Sequence, residues 1–102
     1  MPQKNRQSPS GRVYRRTVRN VVTSSLSLNE QDVGYATATV TGLSTSDVVV
    51  CNTNPTNLPA GIVITNAFCA SANVATFMCV NAGVIDYTFT ASCTLNIFRL
   101  KT

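Results

Sequence analysis

Lys4, Arg6, Arg12, Arg15, Arg16 and Arg19 all lie within the first twenty residues, with no carboxylate among them. Guanidinium groups at this density neutralise phosphates or pair with carboxylates. Tyr14, set among them in Arg12-Val13-Tyr14-Arg15-Arg16-Thr17-Val18-Arg19, adds a ring that can stack on a base or anchor in an apolar pocket. The other chemistry on offer is thin. The chain has no histidine, which removes Ser-His-Asp and Cys-His catalysis and the commonest metal ligand. Glu30, Asp32, Asp47 and Asp86 are scattered singly, poor material for paired acid–base work. The expectation is a protein that is not an enzyme, with no cofactor, no metal and no small-molecule substrate.

Cys51, Cys69, Cys79 and Cys93 allow three pairings, and none has metal-ligand spacing. Each sits in an apolar stretch, where cysteine behaves as a small hydrophobe. Buried thiols are the preferred reading, with one or two disulfides or a reactive thiol as alternatives. A hairpin turning at Ser71-Ala72 would set Cys69 opposite Val74 and Cys79 opposite Ile64, so those two cysteines would not face each other. No secretory leader is expected, because the basic N-terminus has no apolar segment behind it, and that agrees with synthesis in a reducing cytoplasm. No apolar run approaches the roughly 20 residues of a membrane helix, so no membrane partner is expected.

Charge divides the chain. Residues 21–98 contain no Lys or Arg and all four acids; Arg99 and Lys101 complete a formal net charge of +4 over 102 residues. Only 12% of residues are charged, about half the usual share for a soluble domain. Two units follow: an extended basic arm, residues 1–20, and an oligomerisation domain, residues 21–102. A body this small buries only about 60% of its unfolded surface. With so few charges, much of its surface is expected to be covered by other protein, most economically by copies of itself.

The elements that must position these groups read as strands. Val and Thr dominate, and no window of ten residues has a helical period. Residues 35–41 alternate, with Ala36, Ala38 and Val40 on one face. Strands are expected over 21–28, 35–41, 47–52, 62–69, 73–81 and 88–100, the last with a break near Ala91-Ser92, and the alternation within 13–20 of the arm also fits an extended strand better than a helix. Residues 42–46 and the Pro- and Asn-rich 52–61 read as turn and loop. Short strands at this spacing predict an all-β fold, an antiparallel β-sandwich or jelly-roll-like body. In 73–81 both faces are apolar. Val74, Thr76, Met78 and Val80 are assigned to an oligomer interface, and Ala75, Phe77 and Cys79 form the other face.

Three roles suit the arm: docking on an acidic protein surface, with Val13, Tyr14 and Val18 as apolar anchors among Arg6, Arg12, Arg15, Arg16 and Arg19; binding nucleic acid; or a solvated tail. Protein docking is preferred, since one tyrosine can stack few bases, and salt dependence separates it from nucleic-acid binding.

The stretch from Asp47 to Leu100 resembles a C-terminal β-sandwich module of tailed-bacteriophage structural proteins. Asp47-Val48-Val49-Val50 is similar to the module's Asp-x-Val-x-Val strand. Leu58-Pro59-Ala60-Gly61 closes the following loop ahead of Ile62-Val63-Ile64 and Ala67. Residues 73–80 run to Asn81 where the module's strand ends on asparagine, and Ile85-Asp86 and Thr90 fall at its last turn. The resemblance covers about half the chain and implies a virion component, often trimeric. It implies a capsid decoration (cement) protein, a homotrimer on the capsid exterior whose arm clamps the major capsid protein. A tail-fibre, neck or connector module is the alternative, and a nucleic-acid-binding protein a more distant one.

Overall fold

A computed structural model describes residues 13–53 and 58–101, without the side chains of Val13, Thr53 and Lys101. The arm residues Lys4, Arg6 and Arg12 and the loop centre 54–57 lie outside the described residues. The fold is all-β: β1 (Val13–Val22), β2 (Leu26–Leu28), β3 (Val33–Thr39), β4 (Val48–Thr53), β5 (Ile62–Ser71), β6 (Val74–Asn81), β7 (Tyr87–Phe89) and β8 (Ser92–Lys101). Every pairing is antiparallel. Two three-stranded sheets, ordered β1-β8-β4 and β3-β6-β5, are joined by the short pair β2-β7.

Period-two alternation sends one face of each central strand into a common core. In β6, Ala75, Phe77 and Cys79 are fully buried; in β8, Cys93, Leu95 and Ile97 are buried. Ala36, Ala38 and Val40 of β3 and its exit, Val49 of β4, and Ile62, Ala67 and Cys69 of β5 complete the same cluster, with Leu28 and Phe89 closing its end. Burying Phe77 or Leu95 contributes about 2–3 kcal/mol each, so a few such side chains carry much of the domain's stability.

The 20/21 boundary between arm and body falls inside a strand. Residues 13–20 belong to β1, which pairs with β8 from Val13↔Lys101 through Val22↔Ser92 and is the edge strand of its sheet. The reason is non-local: β8 has one side on β4 and needs a second neighbour for its remaining backbone groups. The strand expected over 21–28 is split. At Thr23 the chain turns a corner, with the Thr23 N–H donating to the Ala91 carbonyl and the Ala91 N–H to Thr23 Oγ1, both at 2.9 Å. The break expected near Ala91-Ser92 is the same corner seen from β7 and β8.

The β5–β6 hairpin turns at Ala72-Asn73, one residue later than expected, so Ser71 and not Cys69 faces Val74. Asn73 takes φ +68°, a left-handed conformation that asparagine tolerates. Its Oδ1 accepts the Gly42 N–H at 2.7 Å, and its backbone exchanges bonds with Val40 and Leu43, tying the hairpin tip to the β3–β4 turn. The opposition of Cys79 and Ile64 is as expected. Register shifts between Ile64/Asn66 and Phe68/Ser71 put extra residues into β5. The first moves its inward face from Ile62 and Ile64 to Ala67 and Cys69.

Candidate interaction surfaces

The outer face of β3-β6-β5 is built rung by rung. Val33, Val80 and Val63 form one rung, Tyr35, Met78 and Asn66 the next, then Thr37, Thr76 and Phe68, then Thr39, Val74 and Ser71. No charged residue occurs in these three strands. Tyr35 is 56% exposed and Val63 49%, while the β6 residues Val74, Thr76, Met78 and Val80 between them are half-buried. The four residues assigned to an oligomer interface thus form the spine of an open, uncharged sheet face, apolar around Val33, Val80, Val63, Tyr35 and Met78 and mixed with Thr, Asn and Ser further along.

The arm residues divide between two faces of β1. Tyr14, Arg16 and Val18 point outward, in rungs with Leu100, with Phe98 and Val48, and with Asn96 and Val50. Thr94 Oγ1 donates to Asn20 Oδ1 at 3.0 Å further along this face. Arg15, Thr17 and Arg19 have the opposite parity, that of Ile97 and Leu95, but β1 stands at the edge of the core. Their side chains line a cleft of about 180 Å³ with Thr41, Asp47 and Arg99. Val13 begins β1, and Arg6 and Arg12 lie outside the described residues.

One ion pair anchors the cleft floor. Arg99 Nε donates to Asp47 Oδ1 at 2.8 Å and Nη2 to Oδ2 at 2.7 Å, a bidentate fork. Nη2 also donates to the Gly42 carbonyl at 2.7 Å, and Oδ2 accepts the Ser44 N–H at 2.9 Å. The Arg99 hydrogen bonds hold the Asp47 carboxyl below the usual range against the opposing effect of its burial, with the Ser44 N–H assisting. Asp47 in turn raises Arg99. The Asp47 carboxylate is therefore already committed. Above it, Arg19 Nη1 donates to the Thr41 carbonyl at 3.2 Å, while Arg15 has no partner among the described residues.

The acids gather elsewhere. Asp86 Oδ1 accepts the Glu30 N–H at 2.9 Å, and Asp32 Oδ1 accepts the Val33 N–H at 2.9 Å. These exposed carboxylates sit in the β2–β3 turn and before β7, at the start of β3, whereas the arginine cleft is at its end. Seven residues of strand separate the two, about 20 Å.

Two structural residues carried no assigned role. Asn81 is wholly buried at the end of β6. Its Nδ2 donates to the Ile85 carbonyl at 2.8 Å and to the Leu28 carbonyl at 3.3 Å, and its Oδ1 accepts the Gly83 N–H at 3.0 Å. The signal was parity: Asn81 continues the inward series Ala75, Phe77, Cys79, and a buried polar group must find partners. Asp47 was visible only as the start of a strand. Its partner lies 52 residues away, so no local pattern joins them. Of the cysteines, Cys69 and Cys79 are buried thiols whose Sγ atoms donate to Ser71 and Phe77 carbonyls. Desolvation pushes the Cys79 thiol up, keeping it protonated and unreactive.

No group of metal-ligating side chains occurs among the described residues. Among the described residues no helix is long and apolar enough to cross a membrane. No protein-family model, no curated protein and no solved structure matches this chain.

Proposed function

We propose that this chain is a structural assembly protein, and in its specific form a capsid decoration protein of a tailed bacteriophage. A β-sandwich body would form a homotrimer through the β3-β6-β5 outer face, and the basic N-terminal segment would dock on the major capsid protein. The observation that carries the assembly reading is the uncharged sheet face with large apolar side chains exposed on it. Val33, Tyr35, Val63 and Phe68 are each more than a third exposed around a half-buried β6 spine, and contiguous patches of this kind mark protein contacts. The phage and capsid part of the reading is supported by the sequence resemblance of residues 47–100. A neck or connector role draws on a different feature: Val84 and Ile85 stand exposed on the β6–β7 loop, an apolar tip suited to end-on contact.

Native mass measurement tests the assembly reading. The full chain is expected to be a trimer, and Tyr35→Glu with Met78→Glu to yield folded monomers. A wild-type monomer at all concentrations, or a trimer indifferent to both substitutions, overturns it. Particle copy number then separates the two virion roles: hundreds for decoration, about a dozen or fewer for a neck or tail position.

A further inference from the structure

Among the described residues β1 has one unpaired edge, and the β8 register fixes which backbone groups face it. Thr23 and Ala91 continue the β1–β8 register, and the Thr23 N–H donates to the Ala91 carbonyl directly across the ladder. In an antiparallel pair, hydrogen-bonded and non-hydrogen-bonded rungs alternate. Val21, Arg19, Thr17 and Arg15 therefore spend their backbone groups on β8. The N–H and C=O groups of Tyr14, Arg16, Val18, Asn20 and Val22 point to the open edge. No other backbone hydrogen bond engages β1 among the described residues, and residues 14–18 are all exposed. The strand is ten residues long, with no proline and no register shift. Such an edge is a template for another strand.

Charge selects the occupant. Arg15, Arg16 and Arg19 put three cations within five residues. Pairing β1 with β1 of a second copy would bring these arginines across from one another, and like charges at cross-strand distance repel. Residues 1–12 are basic and acid-free, so they are no better matched. The chain's own exposed acids, Glu30, Asp32 and Asp86, all lie outside its strands. What fits is an extended acidic segment of a different protein.

We propose that β1 is a β-augmentation site for an acidic, extended segment of a partner protein. Residues of the added strand opposite Arg15 and Arg19 place their side chains on the cleft side, so two carboxylates four residues apart meet the two guanidinium groups. Residues opposite Tyr14 and Val18 lie on the outer face, where apolar side chains extend the Leu100 and Val50 rungs. The sequence recognised is thus alternating, with Glu or Asp at i and i+4 on one face and Val, Ile or Tyr on the other. This deepens the docking part of the proposed function and rests on it, but needs neither a trimer nor a capsid.

The test uses the full chain and fluorescein-labelled synthetic peptides of the same length as β1, which has 10 residues. One alternates Thr and Val with two Glu four apart; a second has Lys for Glu. The acidic peptide is expected to bind at least about tenfold tighter than its Lys counterpart, the size of effect that close charge pairs produce. Its saturation should slow amide exchange at Tyr14, Arg16, Val18 and Asn20. Val18→Pro removes an open-edge N–H without touching the β8 ladder. That variant, and Arg15→Glu with Arg19→Glu, should each weaken binding about tenfold or more while keeping the thermal midpoint within about 3 °C. Equal binding of both peptides, unimpaired binding by Val18→Pro, or protection away from β1 overturns the proposal. So does concentration-dependent protection of the β1 edge without peptide, which assigns the edge to a second copy. Binding of polyuridylate through the same arginines with none of the peptide assigns it to nucleic acid. A monomeric wild type that still binds the acidic peptide sinks the trimer and keeps the edge; a trimer that ignores the peptide does the reverse.

Discussion

Strands β3, β6 and β5 contain no charged side chain, whereas β1 and β8 of the other three-stranded sheet carry Arg15, Arg16, Arg19 and Arg99. Both sheets have three strands, both expose valine and tyrosine or phenylalanine outward, and both close on one core. The uncharged face gains from being covered, and it discriminates partners by shape and by the hydroxyl and amide groups of its Thr, Tyr and Asn side chains, not by charge. The basic sheet adds a cost for any partner lacking carboxylates, because a buried unpaired guanidinium is expensive. One sheet is thus suited to lasting self-association, and the other to selective contact that weakens with salt.

That contrast presumes one shared core, and the largest expected effects test the premise. Phe77→Ala on β6 and Leu95→Ala on β8 should each cost about 3–5 kcal/mol, since both leave a cavity in a fully buried position. Urea unfolding followed by probes on β1 and on β6 should give a single coincident transition in both variants. Separate transitions would show two cores, and the comparison between sheets would become one between independent units.

Next is a charge forced into the uncharged sheet. Asn81→Asp would turn an amide that donates to the Leu28 and Ile85 carbonyls into a carboxylate facing them. A loss of about 3 kcal/mol at neutral pH follows. Protonation restores a donor, so the loss should shrink as pH falls; a penalty independent of pH would assign it to packing instead.

The basic sheet has its own pH signature. Asp47 ionises more readily in the folded protein than in the unfolded chain. Its stabilisation is therefore complete above pH about 4, the unfolded value, and disappears as pH falls through the lower folded value. Asp47→Asn should remove that acid-side slope and lower stability at neutral pH, where Arg99 loses its anionic partner. Unfolding at a series of pH values checks both, and an unchanged acid slope would locate the titration elsewhere.

The smallest stability effects separate the outer faces most cleanly. Tyr35→Glu and Arg16→Glu are both exposed substitutions, expected to shift monomer stability by less than about 0.5 kcal/mol. Only the first should split the oligomer, and only the second, which sets an anion on the outward side of the β1 edge while leaving Arg15 and Arg19 in place, should weaken acidic-peptide binding, by less than the Arg15→Glu with Arg19→Glu change. Native mass and peptide titration on both variants would show the two surfaces exchanging roles if the contrast is wrong.

Much of this architecture was legible locally. The alternation in 73–81 sorted Ala75, Phe77 and Cys79 from Val74, Thr76, Met78 and Val80, because strand side chains alternate whatever they face. The break near Ala91-Ser92 and the opposition of Ile64 to Cys79 were also readable. The hairpin turn was displaced by one residue because Asn73, rather than Ala72, takes the left-handed position. The β5 irregularities were invisible, since a bulge is chosen by the partner strand as much as by the bulged one.

The amino-acid sequence by itself determined the all-β character, the parity of the central strands and the separation of basic from acidic residues, for these follow from residue type and from neighbours one or two positions away. It favoured an extended strand over 13–20 but did not determine that this strand would pair with β8 at the edge of a sheet. That outcome depended on β8, some eighty residues further on, having a side left to pair. Nor could it join Asp47 to Arg99, or divide the arginines of β1 between an outer face and a cleft. Those arrangements exist only once distant segments share a sheet, because hydrogen-bond rungs and ion pairs are fixed by spatial register and not by distance along the chain.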